Sequence, residues 1–270
     1  MNLPRNSQTN SELEKANAQV DAGKIFKNIS FRLIRPQTPF RAPYSLKDSS
    51  VSVFTQILMN LETLTEFFNT RVQGADAQHL KKIKELCYIP KMSTFAIGVI
   101  IDSLVFELRN NACFVNVGVW NGFTFLAGLV NNPRKKCIGI DNFSEFGGPR
   151  EEFLERFNRY KSDAHHFYEM DYERYFHEIH RDRIGFYIYD GEHSYRNQLK
   201  GLQVAEPFFA DDCTVLIDDT NIPDVHRATV DFMAQSKHKY RVIVDQKTFH
   251  NAHPTYWNGL IVFQKIPGHK

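Results

Sequence analysis

The sequence predicts an α/β protein in which five parallel strands, with a C-terminal antiparallel hairpin at the edge, are covered by helices on both faces. Two observations predict it. The runs CFVNVG, KCIGID, HFYEMD, GFYIYD and TVLIDD, all apolar or β-branched in character, alternate with polar segments of helical spacing. Such alternation builds a parallel sheet buried on both sides. The two final runs, YRVIVD and YWNGLIVFQK, are joined by a stretch without helical pattern, which predicts a long hairpin and an antiparallel pair.

The elements before the sheet follow from composition and spacing. Residues 1–24 carry no aromatic residue and are rich in Asn, Gln, Ser and charge, too polar to bury a core unaided. Residues 25–50 are basic and aromatic and are punctuated by Pro36, Pro39 and Pro43. An irregular segment that wraps over the active site or a second subunit is expected. Residues 1–50 are therefore read as an extension, 51–89 as a helical cap and 90–270 as the main domain. Within the cap, Val53, Ile57, Leu61 and Leu64 form one helical stripe, and a second helix is expected around ADAQHLKKIKELC. Ser93 and Thr94 are the candidate N-caps of the apolar helix that begins in KMSTFAIGVIIDSL.

Composition narrows the function classes. With 33 basic and 31 acidic residues the formal net charge is +2, so the chain as a whole advertises no polyanionic partner and nucleic acid is not expected. FAIGVII is too short to span a bilayer, and the amino terminus shows no apolar signal core. A cytoplasmic protein without membrane attachment is expected. Cys87, Cys113, Cys137 and Cys213 form no CxxC pair and read as buried, reduced thiols.

The chemistry concentrates where the strands end. In FVNVGVWNGFTF the strand runs into Gly118 and, after three residues, Gly122, then into an apolar helix. Glycines there let the backbone pass close to a ligand at the helix start; a tight turn without a ligand is the plain alternative. Asp141 ends the next strand, where a carboxylate can accept from both ribose hydroxyls. Either a dinucleotide or an S-adenosyl ligand is compatible with this spacing. The G-x-x-x-G pattern in place of G-x-G-x-x-G, Asp171 closing a third strand, and the terminal hairpin favour the S-adenosyl ligand.

Asp190 ends GFYIYD, and Asp218 with Asp219 end TVLIDD. Three carboxylates side by side at strand ends repel one another unless a cation sits between them, and oxygen ligands suit Mg²⁺ or another hard divalent ion. The alternative is that the acids only cap the following helices. His193, three residues after Asp190, is a candidate general base for a weakly acidic hydroxyl, with Glu192 as its rival. The loop HNAHPTYW, with His250, His253, Tyr256 and Trp257, lies where the fold would bring it near an acceptor; an ordinary aromatic-rich loop is the alternative.

On these motifs, residues from about 90 to 265 resemble a class I S-adenosylmethionine-dependent methyltransferase. The closest likeness is to the metal-dependent O-methyltransferases acting on sugars of macrolide and aminocoumarin antibiotics. VNVGVWNGFTF is similar to that family's first motif, IGIDNF to its ribose-binding motif, YDGEHSY and LIDDTN to its metal-site segments, and MSTFAIGVIIDSL to the helix that helps hold the methionine carboxylate. The resemblance implies a Rossmann-like sheet, S-adenosyl-L-methionine and Mg²⁺ as cofactors, and a small-molecule hydroxyl acceptor such as a sugar or polyol. It implies cofactor contacts at Ser93, Thr94, Asn116, Gly118, Gly122, Asp141 and Asp171. Asn116 departs from the pattern, standing where the family usually has Glu. A related hydroxylase-type protein that keeps the metal site, and a non-catalytic S-adenosyl-binding protein, are the competing readings. A homo-oligomer exchanging the segment 25–50 is compatible with either.

Overall fold

The computed structural model describes residues 21–40 and 53–268. The expectations for residues 1–20 and 41–52, Pro43 included, lie outside the described residues, as does the Val53 side chain. The described part of the segment 25–50 is not irregular throughout. Helix α1 (Ala22–Lys27) leads into strand β1 (Ile29–Phe31), so the extension enters the fold through regular structure. Helix α2 (Val53–Asn69) runs directly into β2 (Thr70–Val72), which pairs antiparallel with β1.

Helix α3 (Ala77–Leu86) starts at Asp76, whose carboxylate accepts from Gln78 N and His79 N at 2.8 and 3.1 Å. That satisfies donors the first helical turn leaves free. Helix α4 (Phe95–Phe106) starts at Thr94 in the same way, through Ile97 N at 3.3 Å.

Beyond α4 the chain alternates: β3 (Cys113–Val117), α5 (Phe123–Leu129), β4 (Cys137–Asp141), α6 (Arg150–Tyr160), β5 (His165–Glu169), α7 (Tyr172–Glu178), β6 (Ile184–Tyr189), α8 (Tyr195–Ala205), β7 (Phe209–Ile217), α9 (Pro223–Gln235), β8 (Tyr240–Gln246) and β9 (Leu260–Lys265). The sheet order is β5-β4-β3-β6-β7-β9-β8. β3 to β7 are parallel and β9 is antiparallel to both β7 and β8. The expected sheet with its terminal hairpin is the one formed.

Period-two alternation divides the core. Phe114, Phe186, Leu216 and Val262 pack on one face with α4, α5 and α6. Cys113, Val115, Tyr187 and Val215 pack on the other with α7, α8 and α9. All four cysteines are buried and free. No described helix is long and apolar enough to cross a membrane.

One helix is turned over relative to its apolar pattern. Ile57, Leu61 and Leu64 are 51%, 53% and 41% exposed, whereas Thr63, Glu66 and Asn69 are buried. The polar side of α2 faces inward because it has specific work there. Glu66 Oε1 accepts from Lys91 Nζ at 2.6 Å and Oε2 from Phe95 N at 2.7 Å, while Asn69 Oδ1 accepts from Leu33 N and Ile34 N. A buried charge is tolerated only with such partners. Burial nonetheless raises the Glu66 carboxyl, with the Lys91 charge and the hydrogen bonds opposing it.

His180 supplies a stability test. It is 1% exposed, with Nδ1 at 3.1 Å from the Tyr175 hydroxyl and Phe176 and Phe208 against its ring, and burial lowers its pKa to about 4. The folded state therefore resists protonation that the unfolded chain accepts near about 6.5. The neutral ring's contribution is intact above that pH and is lost as pH falls toward 4, by up to about 3 kcal/mol. Denaturant unfolding from pH 7 to 4 should show that loss shrinking in His180→Phe; an unchanged pH slope would contradict it.

Candidate active site

The site is assembled at the carboxyl ends of β3, β4, β6 and β7, where a parallel sheet presents its loops to a ligand. β3 ends in a turn that only glycine can make. Gly118 has φ +78°, and a Cβ there would lie 1.9 Å from the Asp190 carbonyl oxygen. Gly122, at φ +99°, precedes α5 against the Phe153 ring.

Asp141 serves this turn as much as any ligand. Its Oδ2 accepts from Val119 N and Trp120 N, each at 2.8 Å, and its Oδ1 from Phe143 N at 2.7 Å. The carboxylate holds the glycine turn to the end of β4, which leaves room for fewer ribose hydrogen bonds than the expected pair.

Two cavities meet here. The first, about 220 Å³, is lined by Gly118, Asp141, Met170, Asp171, Tyr172 and Glu192, among others. The second, about 240 Å³, is lined by Lys91, Ser93, Phe123, His193, Asp219 and Trp257, among others. Trp120, Phe146 and Asp190 belong to the walls of both. Asp171 caps α7 through Arg174 N at 3.0 Å while facing the first cavity.

Buried polar atoms without a partner lie close to the turn and the cavities. Asn116 is fully buried; its amide donates to Val117 O and Gly118 O, and its Oδ1 has no partner. A free amide oxygen at the glycine turn can accept from an ammonium group, so the neutral residue retains a use in cofactor binding. Ser93 Oγ is likewise buried and unpartnered on the second cavity. Thr94 differs from its neighbour: its hydroxyl donates to Thr255 O at 2.6 Å and caps α4, so it is already occupied.

The acids after β6 and β7 converge as expected. One ligand-type atom each from Asp190, His193, Asp218 and Asp219 fall within 4.8 Å of one another. Asp218 is buried, and its Oδ1 has no partner. Burial, with the charges of Asp219 and Asp141 adding and His193 opposing, pushes Asp190 up to about 6. Burial and the neighbouring carboxylates push Asp218 well above the usual range, and burial raises Asp219 against the opposing effects of His193 and Asn258. Carboxyls held up in this way lack a counter-charge, and this mostly oxygen donor set fits a hard divalent cation.

His193 Nε2 lies 3.6 Å from Asp190 Oδ1 and 3.4 Å from Asp219 Oδ2. Burial alone would lower its pKa, but the two carboxylates outweigh burial and raise it. Glu192 is exposed on the first cavity and accepts from Asn197 Nδ2. The two candidate bases therefore face different cavities.

In the hairpin loop, His253 is tied to Thr255 Oγ1 and Thr38 O and is structural, whereas Asn251, Trp257 and Asn258 reach the second cavity. Sequence reasoning missed Lys91, Trp120 and Phe146. The position of Lys91 two residues before Ser93 was the available signal; Trp120 Nε1 donates to Phe146 O, a pairing no local pattern announces.

Residues 115–220 match the model of a family described as a methyltransferase domain. That match covers residues 115–220 of the 270, and the fold around it is the one shared by the solved methyltransferase structures that resemble this chain. Solved structures similar to it include a putative O-methyltransferase from Klebsiella pneumoniae (11% identity, TM-score 0.54, covering 73% of this chain and 93% of that one). A protein from Corynebacterium glutamicum is similar at 13% identity and TM-score 0.55, over 79% and 99% of the two chains. An O-methyltransferase from Bacillus cereus, solved in complex with SAH, is similar at 8% identity and TM-score 0.51, over 72% and 93%. At these identities the likeness is one of fold. A search of curated proteins finds no match.

The methyltransferase turn is open to a direct test. Gly118→Ala combines left-handed strain with overlap on the Asp190 backbone, together costing about 2–4 kcal/mol. Its denaturation midpoint should fall accordingly and S-adenosylhomocysteine binding should weaken in calorimetry. A variant with wild-type midpoint and affinity would contradict the placement of the turn.

Proposed function

We propose that this chain is an S-adenosylmethionine-dependent O-methyltransferase, assisted by a divalent cation of the Mg²⁺ class, acting on a hydroxyl of a sugar or another small polyol or natural product. The observation that carries this reading is the sharing of Asp190, Trp120 and Phe146 by the two cavities, since methyl transfer needs donor and acceptor on either side of one reacting centre.

In this reading the adenosyl end occupies the first cavity. Asp141 holds the turn beneath it, and Asp171 and Tyr172 stand at its far wall. Asn116 Oδ1 and Ser93 Oγ take the ammonium and carboxylate of the methionine end. The acceptor occupies the second cavity against Trp257 and Phe123. S-adenosylmethionine supplies a methyl group that passes to the hydroxyl oxygen, leaving S-adenosylhomocysteine and a proton. Asp190, Asp218 and Asp219 would hold the cation, which makes a hydroxyl drawn to it more acidic. His193 receives the hydroxyl proton: it lines the acceptor-side cavity, with Nε2 beside the Asp190 and Asp219 carboxylates, while Glu192 is held by Asn197 on the other.

Formation of S-adenosylhomocysteine, followed across a panel of sugar and polyol acceptors, tests this reading. Excess chelator should abolish turnover and Mg²⁺ restore it, with Asp218→Asn failing to respond to the metal. Full turnover in chelator would overturn the role of the cation. His193→Ala should lower kcat by roughly 10²–10⁴-fold with little change in S-adenosylhomocysteine affinity, while Glu192→Gln stays active. The reverse pattern would move the base to Glu192.

A further inference from the structure

Apart from the two cavities of the active site, the amino-terminal elements border an open hollow of about 410 Å³ between the β1–β2 pair and helices α2, α3 and α4. The exposed Arg32, Arg71 and Lys84 line it, and among the described residues no carboxylate does. Among the described residues none of these three cations forms an ion pair. Like charges gathered around a hollow repel one another, and an anion in the hollow relieves that repulsion.

Local structure keeps these groups together. Register pairs Arg71 with Ser30, and Arg32 N donates to Asn69 O at 2.8 Å, so both arginines lie along the short β1–β2 pair. The Lys84 ammonium stands over the rings of Phe67 and Phe95, 5.3 and 5.7 Å from their centroids. These contacts position the charge without neutralising it.

A second feature points independently to a ligand. Thr70 lines the same hollow, is 5% exposed, and its Oγ1 is buried with no hydrogen-bond partner. A buried hydroxyl without a partner is costly, and an anion's oxygen would accept from it. The hollow also presents the apolar surfaces of Phe67, Leu80 and Phe95, which suit an organic remainder more than a bare ion. Guanidinium groups favour phosphate oxygens through paired N–H donors.

We propose that this hollow is a binding site for a small phosphorylated ligand, a phosphate ester or diphosphate, bound by Arg32, Arg71, Lys84 and Thr70. The site is separate from methyl transfer, and its test does not depend on that activity. Calorimetric titration of the full chain with pyrophosphate and with ADP, at one ionic strength held with chloride, should show saturable single-site binding. Arg71→Gln and Lys84→Gln should each weaken it by at least about 10-fold, the usual effect of losing a charge-assisted hydrogen bond. Thr70→Val should weaken it several-fold while melting at or above the wild-type temperature, since it removes a buried unpartnered hydroxyl; the other two variants should stay folded, and all three should keep the S-adenosylhomocysteine affinity. Tighter binding of ADP than of pyrophosphate would identify an ester as the ligand type, and equal affinity would identify the diphosphate group. No saturable binding, or equal affinity in wild type and all three variants, would overturn the site.

Discussion

The contact on which the site depends is between two stretches of backbone: the turn at Gly118 and the carbonyl of Asp190. A single added methyl group at Gly118 would fall 1.9 Å from that oxygen. The approach is fixed from several directions, by Asp190 N donating to Val117 O at 2.8 Å, by Gly118 N donating to Ile140 O at 2.9 Å, and by the Asp141 carboxylate receiving the N–H groups of Val119 and Trp120. Because β3 and β6 end in contact, the first and second cavities share a wall, as the proposed placement of donor and acceptor requires. Asp190 is that wall, and the acids after β7 lie beside it.

This geometry gives the carboxylates a price in isolation and a use in company. Gathered together, the buried Asp218 and the half-buried Asp190 and Asp219 are all driven toward their protonated forms, and His193 beside them is correspondingly held toward its charged form. A divalent cation would exchange this mutual compensation for direct ligation, releasing the imidazole. The same four residues thereby connect the electrostatics of the acidic cluster with the proton transfer proposed for His193.

Much of this was legible in the sequence where the constraint is local. Five apolar or β-branched runs, four ending in Asp and the first in a glycine turn, located the five parallel strands, and the strand–glycine–helix pattern at Gly118 and Gly122 located the turn, because each depends on residues a few positions apart. The orientation of α2 was not legible: its apolar stripe points outward because Glu66 pairs with Lys91 and caps α4, partners far along the chain. β1 and β2 span three residues each, too few for a periodic signal. Ser93 and Thr94 look equivalent in sequence, yet only Thr94 meets Thr255 O. The three backbone N–H groups that Asp141 accepts from were not legible either, since they depend on how the glycine turn meets the end of β4.

The most direct measurement is a crystal structure of the chain with S-adenosylhomocysteine and Mn²⁺, with the ion located by its anomalous scattering. The expected result is one ion bound by oxygens of Asp190, Asp218 and Asp219 at roughly 2.0–2.2 Å, the range of hard divalent ions. The adenosyl group should lie in the cavity of Asp141 and Asp171, with the sulfur facing the acceptor cavity across the Asp190 wall. An ion held elsewhere, or a cofactor whose sulfur lies away from Asp190, would contradict the assignment of the two cavities to donor and acceptor.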